Sequence, residues 1–187
     1  KGSNIKLAIG RAGNVIGGGD WAKDRIVVDC MEAWSKGQSV EIRSPEATRP
    51  WQHVLEPLSG YLNLGAKLYR DGSLHGEAFN FGPKAEQNHT VKQLLEDLSK
   101  YWHFDDVNDA FTVTDNIPFH EAGLLKLNCD KPLFIMKWQA NLEYQEVIKF
   151  TSEWYYDYYK SDRNMFDKTV EQISEYEDMA ITKSLEW

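Results

Sequence analysis

The sequence predicts a mixed α/β protein, and three observations carry that reading. Ile5, Leu7 and Ile9 alternate, and Val15 and Ile16 resume the apolar character, as in a buried strand. Short strand patterns at Val40–Arg43, Ala78–Gly82 and Phe111–Thr114 then alternate with segments whose apolar residues recur every three or four positions. Three consecutive glycines, Gly17 to Gly19, break the chain just beyond the first strand, with the polar Arg11 and Asn14 lying before them. In open α/β sheets, ligands bind beyond the carboxyl ends of the strands. Read alone, Ile5–Trp21 is equally well a strand and a tight turn with no chemistry. Only one long buried strand is expected, at the very start, and a parallel sheet needs neighbours and crossover helices on both faces. The chain is therefore expected to be the carboxyl-terminal part of a larger α/β protein.

The remaining elements follow in order. Asp24 to Lys36 reads as a helix with Ile26, Val27, Cys30, Met31 and Trp34 inward, stopped by Gly37. Ser44–Thr48 is a loop that delivers Arg49-Pro-Trp-Gln-His53. A longer helix from about Val54 to Tyr69 tolerates Pro57 in its first turn and presents a stripe of Val54, Leu58, Tyr61, Leu62, Leu64 and Leu68. Thr90 and Gln93 fit a capping box, followed by a helix with Val91, Leu94, Leu95 and Leu98 buried, ending near Trp102. Leu124–Leu127 reads as a strand, Lys131–Met136 as a short helix, and Asn141 to Lys160 as a strong helix. The tail, 161–187, is acidic and aromatic and is expected to be helical in part.

Composition excludes more than it assigns. The chain of 187 residues has a formal net charge of −8, which disfavours nucleic acid as a partner. No apolar run approaches the roughly 20 residues of a membrane span, so no membrane association is expected. No signal peptide is read at Lys1-Gly-Ser-Asn, and a cytoplasmic protein is expected. Cys30 and Cys129 lack any metal-ligand spacing and are expected to be free thiols rather than a disulfide. No metal site is expected.

The residues that suggest chemistry are cationic. Arg11, Arg25, Arg43 and Arg49 fall within about forty residues of the glycine turn. Arginine presents a planar fork of N–H donors suited to a diphosphate, and Arg25 lies near a helix start, whose free N–H groups favour an anion. Each arginine alone is equally a surface residue. Tyr156-Asp-Tyr-Tyr-Lys160 matches a Tyr-x-x-x-Lys dehydrogenase pair. It lies at the end of the last strong helix in a tyrosine-rich stretch, and is read as coincidence. His53 is read as structural, and no dinucleotide fingerprint or P-loop is present.

Four segments then bear a resemblance: Arg11-Ala-Gly-Asn-Val-Ile-Gly-Gly-Gly-Asp-Trp21, Asp24-Arg-Ile-Val27, Arg49-Pro-Trp-Gln-His-Val54 and Phe79-Asn-Phe-Gly-Pro83. Together with His120-Glu-Ala122 they are similar to the extended short-chain dehydrogenase/reductase superfamily, most of all to its sugar-nucleotide 4,6-dehydratases. The resemblance covers about residues 5–160 and loosens after residue 85. The loop after Trp102 and the Lys137-Trp138 segment, where relatives have Gly-Trp, depart from the pattern. It implies the last Rossmann strands plus a small mixed α/β substrate-binding lobe: 1–20 closing an NAD-binding lobe, 21–160 a nucleotide-sugar lobe, and 161–187 a helical tail. It implies NAD as cofactor, a CDP-sugar as substrate, a dehydration yielding a 4-keto-6-deoxy sugar for deoxysugar and lipopolysaccharide synthesis, and a homodimer for the full-length enzyme. Carried over position by position, Asn14, Arg25 and Arg49 are expected at the diphosphate, Ile42 and Arg43 at the cytosine, and His120 and Glu121 on the sugar or nucleotide side. Ala12 and Gly13 are expected beside the nicotinamide end of NAD. The catalytic residues are expected upstream of this chain. Another epimerase or dehydratase of the superfamily, and a non-catalytic nucleotide-sugar binding module, stand as alternatives.

Overall fold

The computed structural model describes residues 4–104, 106–114 and 126–187. Among the described residues, four pairs of short strands, rather than one sheet, carry the β structure. β1 (Ile9–Ala12) runs parallel to β6 (Ala78–Phe81), in the register Ile9 to Ala78 and Ala12 to Phe81. β2 (Val15–Ile16) runs parallel to β5 (Gln52–His53), and β3 (Val40–Ile42) parallel to β8 (Phe111–Val113). β4 (Thr48–Arg49) is antiparallel to β7 (His89–Thr90). The connections include α1 (Ile26–Ser35), α2 (Leu55–Arg70), α3 (Val91–Ser99) and α4 (Asp130–Met136). Two long helices, α5 (Tyr144–Lys160) and α6 (Met165–Thr182), complete the order.

The first strand differs from its sequence expectation in place and in burial. Ile5 is 77% exposed, Leu7 61% and Ile9 53%, and the ladder begins only at Ile9. Among the described residues β1 is paired along one edge only, by β6, and Ile5, Leu7 and Ile9, which fall on one face, stay exposed. The stripe expected on α2 is displaced too. Leu64 is buried and Leu68 packs against the core as expected, but Leu58, Tyr61 and Leu62 are exposed and Glu56, Pro57 and Gly60 are buried in their place. The cause is Gly60: a Cβ there would stand 2.3 Å from the Phe81 ring, so the bare helix backbone is what meets β6. Lys126 and Leu127 belong to no strand, and the rest of the strand expected at 124–127 lies outside the described residues. The Thr90–Gln93 capping box forms in full, with Thr90 Oγ1 accepting from the Gln93 N–H at 3.1 Å. Cys30 and Cys129 are free thiols, the first fully buried.

The larger core gathers Cys30, Met31 and Trp34 of α1, Leu94, Leu95 and Leu98 of α3, and Val147, Ile148 and Phe150 of α5. A second core, Leu64, Phe79, Phe81, Met136 and Trp138, sits between α2, β6 and α4. The tail is helical through most of its length. α6 buries Lys168, Gln172, Tyr176 and Ala180, one residue per turn. Gln172 Nε2 donates to the Phe150 carbonyl at 2.7 Å, and the Lys168 ammonium is held by Glu153 at 3.0 Å and Asp157 at 3.6 Å.

Glu56 closes this arrangement. Its buried carboxylate accepts from the Asn141 N–H at 3.0 Å, from the Leu142 N–H, and from the Tyr176 hydroxyl at 3.1 Å. Burial pushes its pKa up to about 7, against the lowering effect of those donors. His53, three residues earlier, is buried and has its pKa pushed down to about 3 by the same loss of water. The two act in opposite directions. A raised carboxyl pKa adds stability that is complete below the unfolded value of 4.5 and lost as pH rises to about 7. A depressed histidine pKa adds stability that is present above 6.5 and lost as pH falls toward about 3. Their slopes overlap between pH 4.5 and 6.5. Urea unfolding across this range is expected to give a shallow profile for the natural chain. For Glu56→Gln the Glu56 contribution of about 3 kcal/mol between its two pKa values disappears, so stability falls steadily with acidification. Parallel profiles for the two proteins would disprove the assignment.

Candidate functional site

The ends of β1, β2, β3 and β4 converge with the start of α1 on one cleft of about 1190 Å³. Its lining includes Ala12, Gly13, Asn14, Arg25, Ile42, Arg43 and Arg49, so the described residues carried over from the resemblance border the same space, and of the four arginines singled out in the sequence Arg11 alone does not. His120 and Glu121 lie outside the described residues. Arg11 is exposed on β1 and is not part of the lining.

The walls follow from local structure. After β1, the backbone at Asn14 is fixed by its carbonyl, which accepts from the Gln52 N–H at 3.1 Å. Gln52 is buried and donates its side-chain N–H to the Phe81 carbonyl at 3.0 Å, tying the β2–β5 pair to the β1–β6 pair. On β3 the pleat directs alternate residues to opposite sides. The Ile42 side chain enters the large core, and Glu41 and Arg43 are exposed on the cleft side. Ile42 therefore backs the cleft, while its neighbours present the polar groups. Arg49 Nη1 donates to the Thr48 carbonyl at 2.9 Å, and the Trp51 indole donates to the His89 carbonyl at 3.2 Å.

The glycine turn requires its composition at two positions. A Cβ on Gly18 would lie 2.0 Å from the Trp154 indole, and Gly19 has a φ of +80°, in the left-handed region. Asp24 is also left-handed, with a φ of +63°. His53 Nε2 makes no hydrogen bond among the described residues and faces the Gly17 α-carbon, with its ring edge-on to Phe150. It is a neutral wall residue beneath the turn.

Electrostatically the cleft is mixed. Lys23, Arg25, Arg43 and Arg49 are set against Asp20, Asp24, Asp29 and Glu41. Asp20 and Arg25 pair at 3.6 Å. Desolvation, reinforced by Asp24 nearby, holds the Asp29 carboxyl above its usual range. Sequence reading missed Asp20, Glu41 and Tyr155. Glu41 was detectable, since strand alternation about an apolar Ile42 places it beside Arg43; Tyr155, from a helix some 130 residues away, was not.

Tyr156 and Lys160 lie away from the cleft. Lys160 Nζ donates to the Ser35 carbonyl at 3.0 Å, and the Tyr156 ring packs on Trp102 and His103. No group of three His, Cys, Asp or Glu side chains able to hold a metal occurs among the described residues, and no described helix is long and apolar enough to cross a membrane.

No protein-family model matches the chain. CDP-glucose 4,6-dehydratase of Salmonella typhimurium is 39% identical over 174 residues, which is 92% of this chain and 47% of that enzyme. The chain is a relative of CDP-glucose 4,6-dehydratase. It spans about half the length of the curated relative it matches. In fold it matches dTDP-glucose 4,6-dehydratase of Bacillus anthracis in complex with NAD, with a TM-score of 0.65 at 14% identity over 81% of this chain and 44% of that one. UDP-glucuronic acid 4-epimerase of Bacillus cereus, solved with UDP-glucuronic acid and NAD, gives a TM-score of 0.68 at 14% identity, covering 82% of this chain and 46% of that one. UDP-glucose 4-epimerase of Thermotoga maritima, solved with UDP-glucose, gives 0.62 at 20% identity over 89% and 47%. The fold is thus that of part of an extended short-chain dehydrogenase/reductase.

The contact between Gly18 and Trp154 leaves no room for a methyl group. Gly18→Ala is expected to destabilise the chain by about 1–3 kcal/mol through overpacking, read as a lower urea midpoint. An unchanged midpoint would mean that the turn is not seated on α5.

Proposed function

We propose that this chain is the nucleotide-sugar-binding part of a CDP-glucose 4,6-dehydratase, which converts CDP-D-glucose to CDP-4-keto-6-deoxy-D-glucose in deoxysugar synthesis. The observation that carries the reading is the convergence of Asn14, Arg25, Arg43 and Arg49 on one cleft. Arg25 and Arg49 supply guanidinium donors for the diphosphate, and Asn14 an amide. Residues 1–20 close the NAD-binding lobe, 21–160 form the sugar-nucleotide lobe and 161–187 its helical support. The one-sided pairing of β1, the exposed Ile5, Leu7 and Ile9, and the span of about half the relative's length support that division.

NAD fits this chain only at its margin. The three glycines do not open a helix, since α1 begins seven residues after Gly19, so they form no phosphate cradle of the dinucleotide type. A Cβ on Gly13 would stand 3.0 Å from both Pro50 and Leu127, so that backbone is already packed on one side. Ala12 and Gly13 border the cofactor in this reading and do not hold it. The hydride chemistry belongs to NAD bound mainly by other residues; this chain's own part is to bind and orient the substrate.

The base is read at β3. Cytosine presents an amino donor at N4 with acceptors at N3 and O2, whereas uracil and thymine present a carbonyl in place of the amine. Glu41 accepts and Arg43, just past the end of β3, donates, both at the cleft, which suits cytosine and opposes a carbonyl at position 4. The UDP-sugar epimerases that share the fold favour a second reading, an epimerase with a UDP-sugar substrate. The 39% identity to the CDP-glucose enzyme, against 14–20% for these epimerases, supports the first.

Calorimetric titration of the chain with CDP and UDP separates the two, with tighter binding of CDP expected. Glu41→Gln is expected to reduce that preference, and equal binding of both nucleotides by the natural chain would remove the cytosine assignment. Arg49→Ala is expected to weaken CDP binding by about 1.5–3 kcal/mol, the worth of a charged hydrogen bond; an unaltered affinity would remove the phosphate role. For the reaction itself, full-length protein given CDP-glucose and NAD is expected to yield a 4-keto product visible by its absorbance in alkali. Turnover of a UDP-sugar alone would establish the epimerase reading instead.

A further inference from the structure

The segment between the glycine turn and α1 is held by α5. Gly19 and Asp24, both left-handed, bend the chain at its two ends. Between them, Asp20 Oδ1 accepts from the Ala22 N–H at 3.0 Å, and Asp20 Oδ2 faces Arg25 Nε at 3.6 Å. No side chain caps the start of α1. The segment thus depends on what it leans on, and that is α5. The buried Tyr155 hydroxyl donates to the Asp20 carbonyl at 2.8 Å. The Trp21 ring lies edge-on to Tyr155 with centroids 5.7 Å apart and rests on Tyr158 at 4.7 Å. Trp21 is itself 48% exposed, so burial alone does not account for its position. Tyr155 also borders the cleft beside Asp20 and Arg25.

We propose that Tyr155 is a positioning residue of the cleft: by its hydrogen bond to Asp20 and its contact with Trp21 it holds residues 19–25 as a strap against α5, and so sets where Arg25 stands at the rim. What Arg25 does there rests on the reading of the cleft as a nucleotide-sugar site; the strap itself does not.

Two measurements on the 187-residue chain test this. In the ligand-free protein, Tyr155→Phe keeps the ring and removes the hydrogen bond, and amide hydrogens of residues 20–26 are expected to exchange severalfold faster, with α3 and α6 unchanged. Trp21→Ala, at a half-exposed position, is expected to do the same while leaving the Tyr155 hydroxyl in place. Unaltered exchange over 20–26 in both variants overturns the proposal. In CDP titrations, Tyr155→Phe is expected to raise the dissociation constant about fivefold, as the loss of one neutral hydrogen bond does. If it acts through Arg25, the double variant Tyr155→Phe with Arg25→Ala binds no more weakly than Arg25→Ala alone. A merely structural tyrosine gives additive losses instead, which overturns the route to Arg25. Failure of the natural chain to bind CDP would remove the nucleotide reading, and the exchange result would still decide the strap.

Discussion

The buried carboxylate of Glu56 is the constraint from which the rest of the structure is referenced. It sits in the first turn of α2, where the helix dipole favours negative charge. Its acceptors are filled by the backbone before α5 and by the hydroxyl of Tyr176 in the middle of α6. Three elements distant in sequence thereby meet at one group that has lost its water. Neighbouring polar groups extend the junction: the Asn141 side chain donates to the Tyr176 carbonyl at 2.7 Å, and Lys183 Nζ donates to the Asn141 carbonyl at 2.6 Å. A buried charge of this kind is costly unless its hydrogen bonds are complete. Here they come from two backbone N–H groups before α5 and one hydroxyl of α6, which makes the junction selective for one arrangement of α2, α5 and α6.

From that junction both walls of the cleft are built. On one side, the residues just before Glu56 form β5, which pairs with β2 and places His53 beneath the glycine turn. On the other, α5 leaves the junction and carries Trp154, Tyr155 and Tyr158 along the outside of residues 18–21. The groups that face the cleft come almost wholly from the amino-terminal half of the chain. Those that hold them in place come from the carboxyl-terminal part. This division explains why a helix with no motif of its own matters to the geometry of the site.

The sequence disclosed elements whose signals are local. The capping box of α3, the apolar spacing of α1 and the start of α4 all rest on neighbours a few residues apart, and all appear as expected. It failed where a distant partner decides. Apolar residues in α2 suggested a Leu58–Leu62 face, yet Gly60 lets Phe81 approach the backbone and turns that face outward. The alternation at Ile5–Ile9 signalled a buried strand, but burial needs a covering layer that the described residues do not supply. α6 was only faintly signalled because its buried row is Lys168, Gln172, Tyr176 and Ala180, and the first two are polar residues that no hydrophobic pattern marks. The site was legible as a set of residue types, arginines and an asparagine near a glycine turn. Of its acidic half only Glu41 was, by strand alternation; Asp20, Asp24 and Asp29 read as solvated surface until the fold gathers them at one cleft.

That acidic half has a kinetic consequence. A net charge of −8 repels an anion at long range, and four carboxylates among the four cations of the cleft leave little local field to offset the repulsion. Anionic molecules therefore reach this cleft without being drawn to it. If an anion binds there as proposed, discrimination would begin only within a few ångströms, where individual forks and amides replace water, and added salt would mainly weaken the repulsion. In the proposed reading the cleft would select by residence rather than by capture.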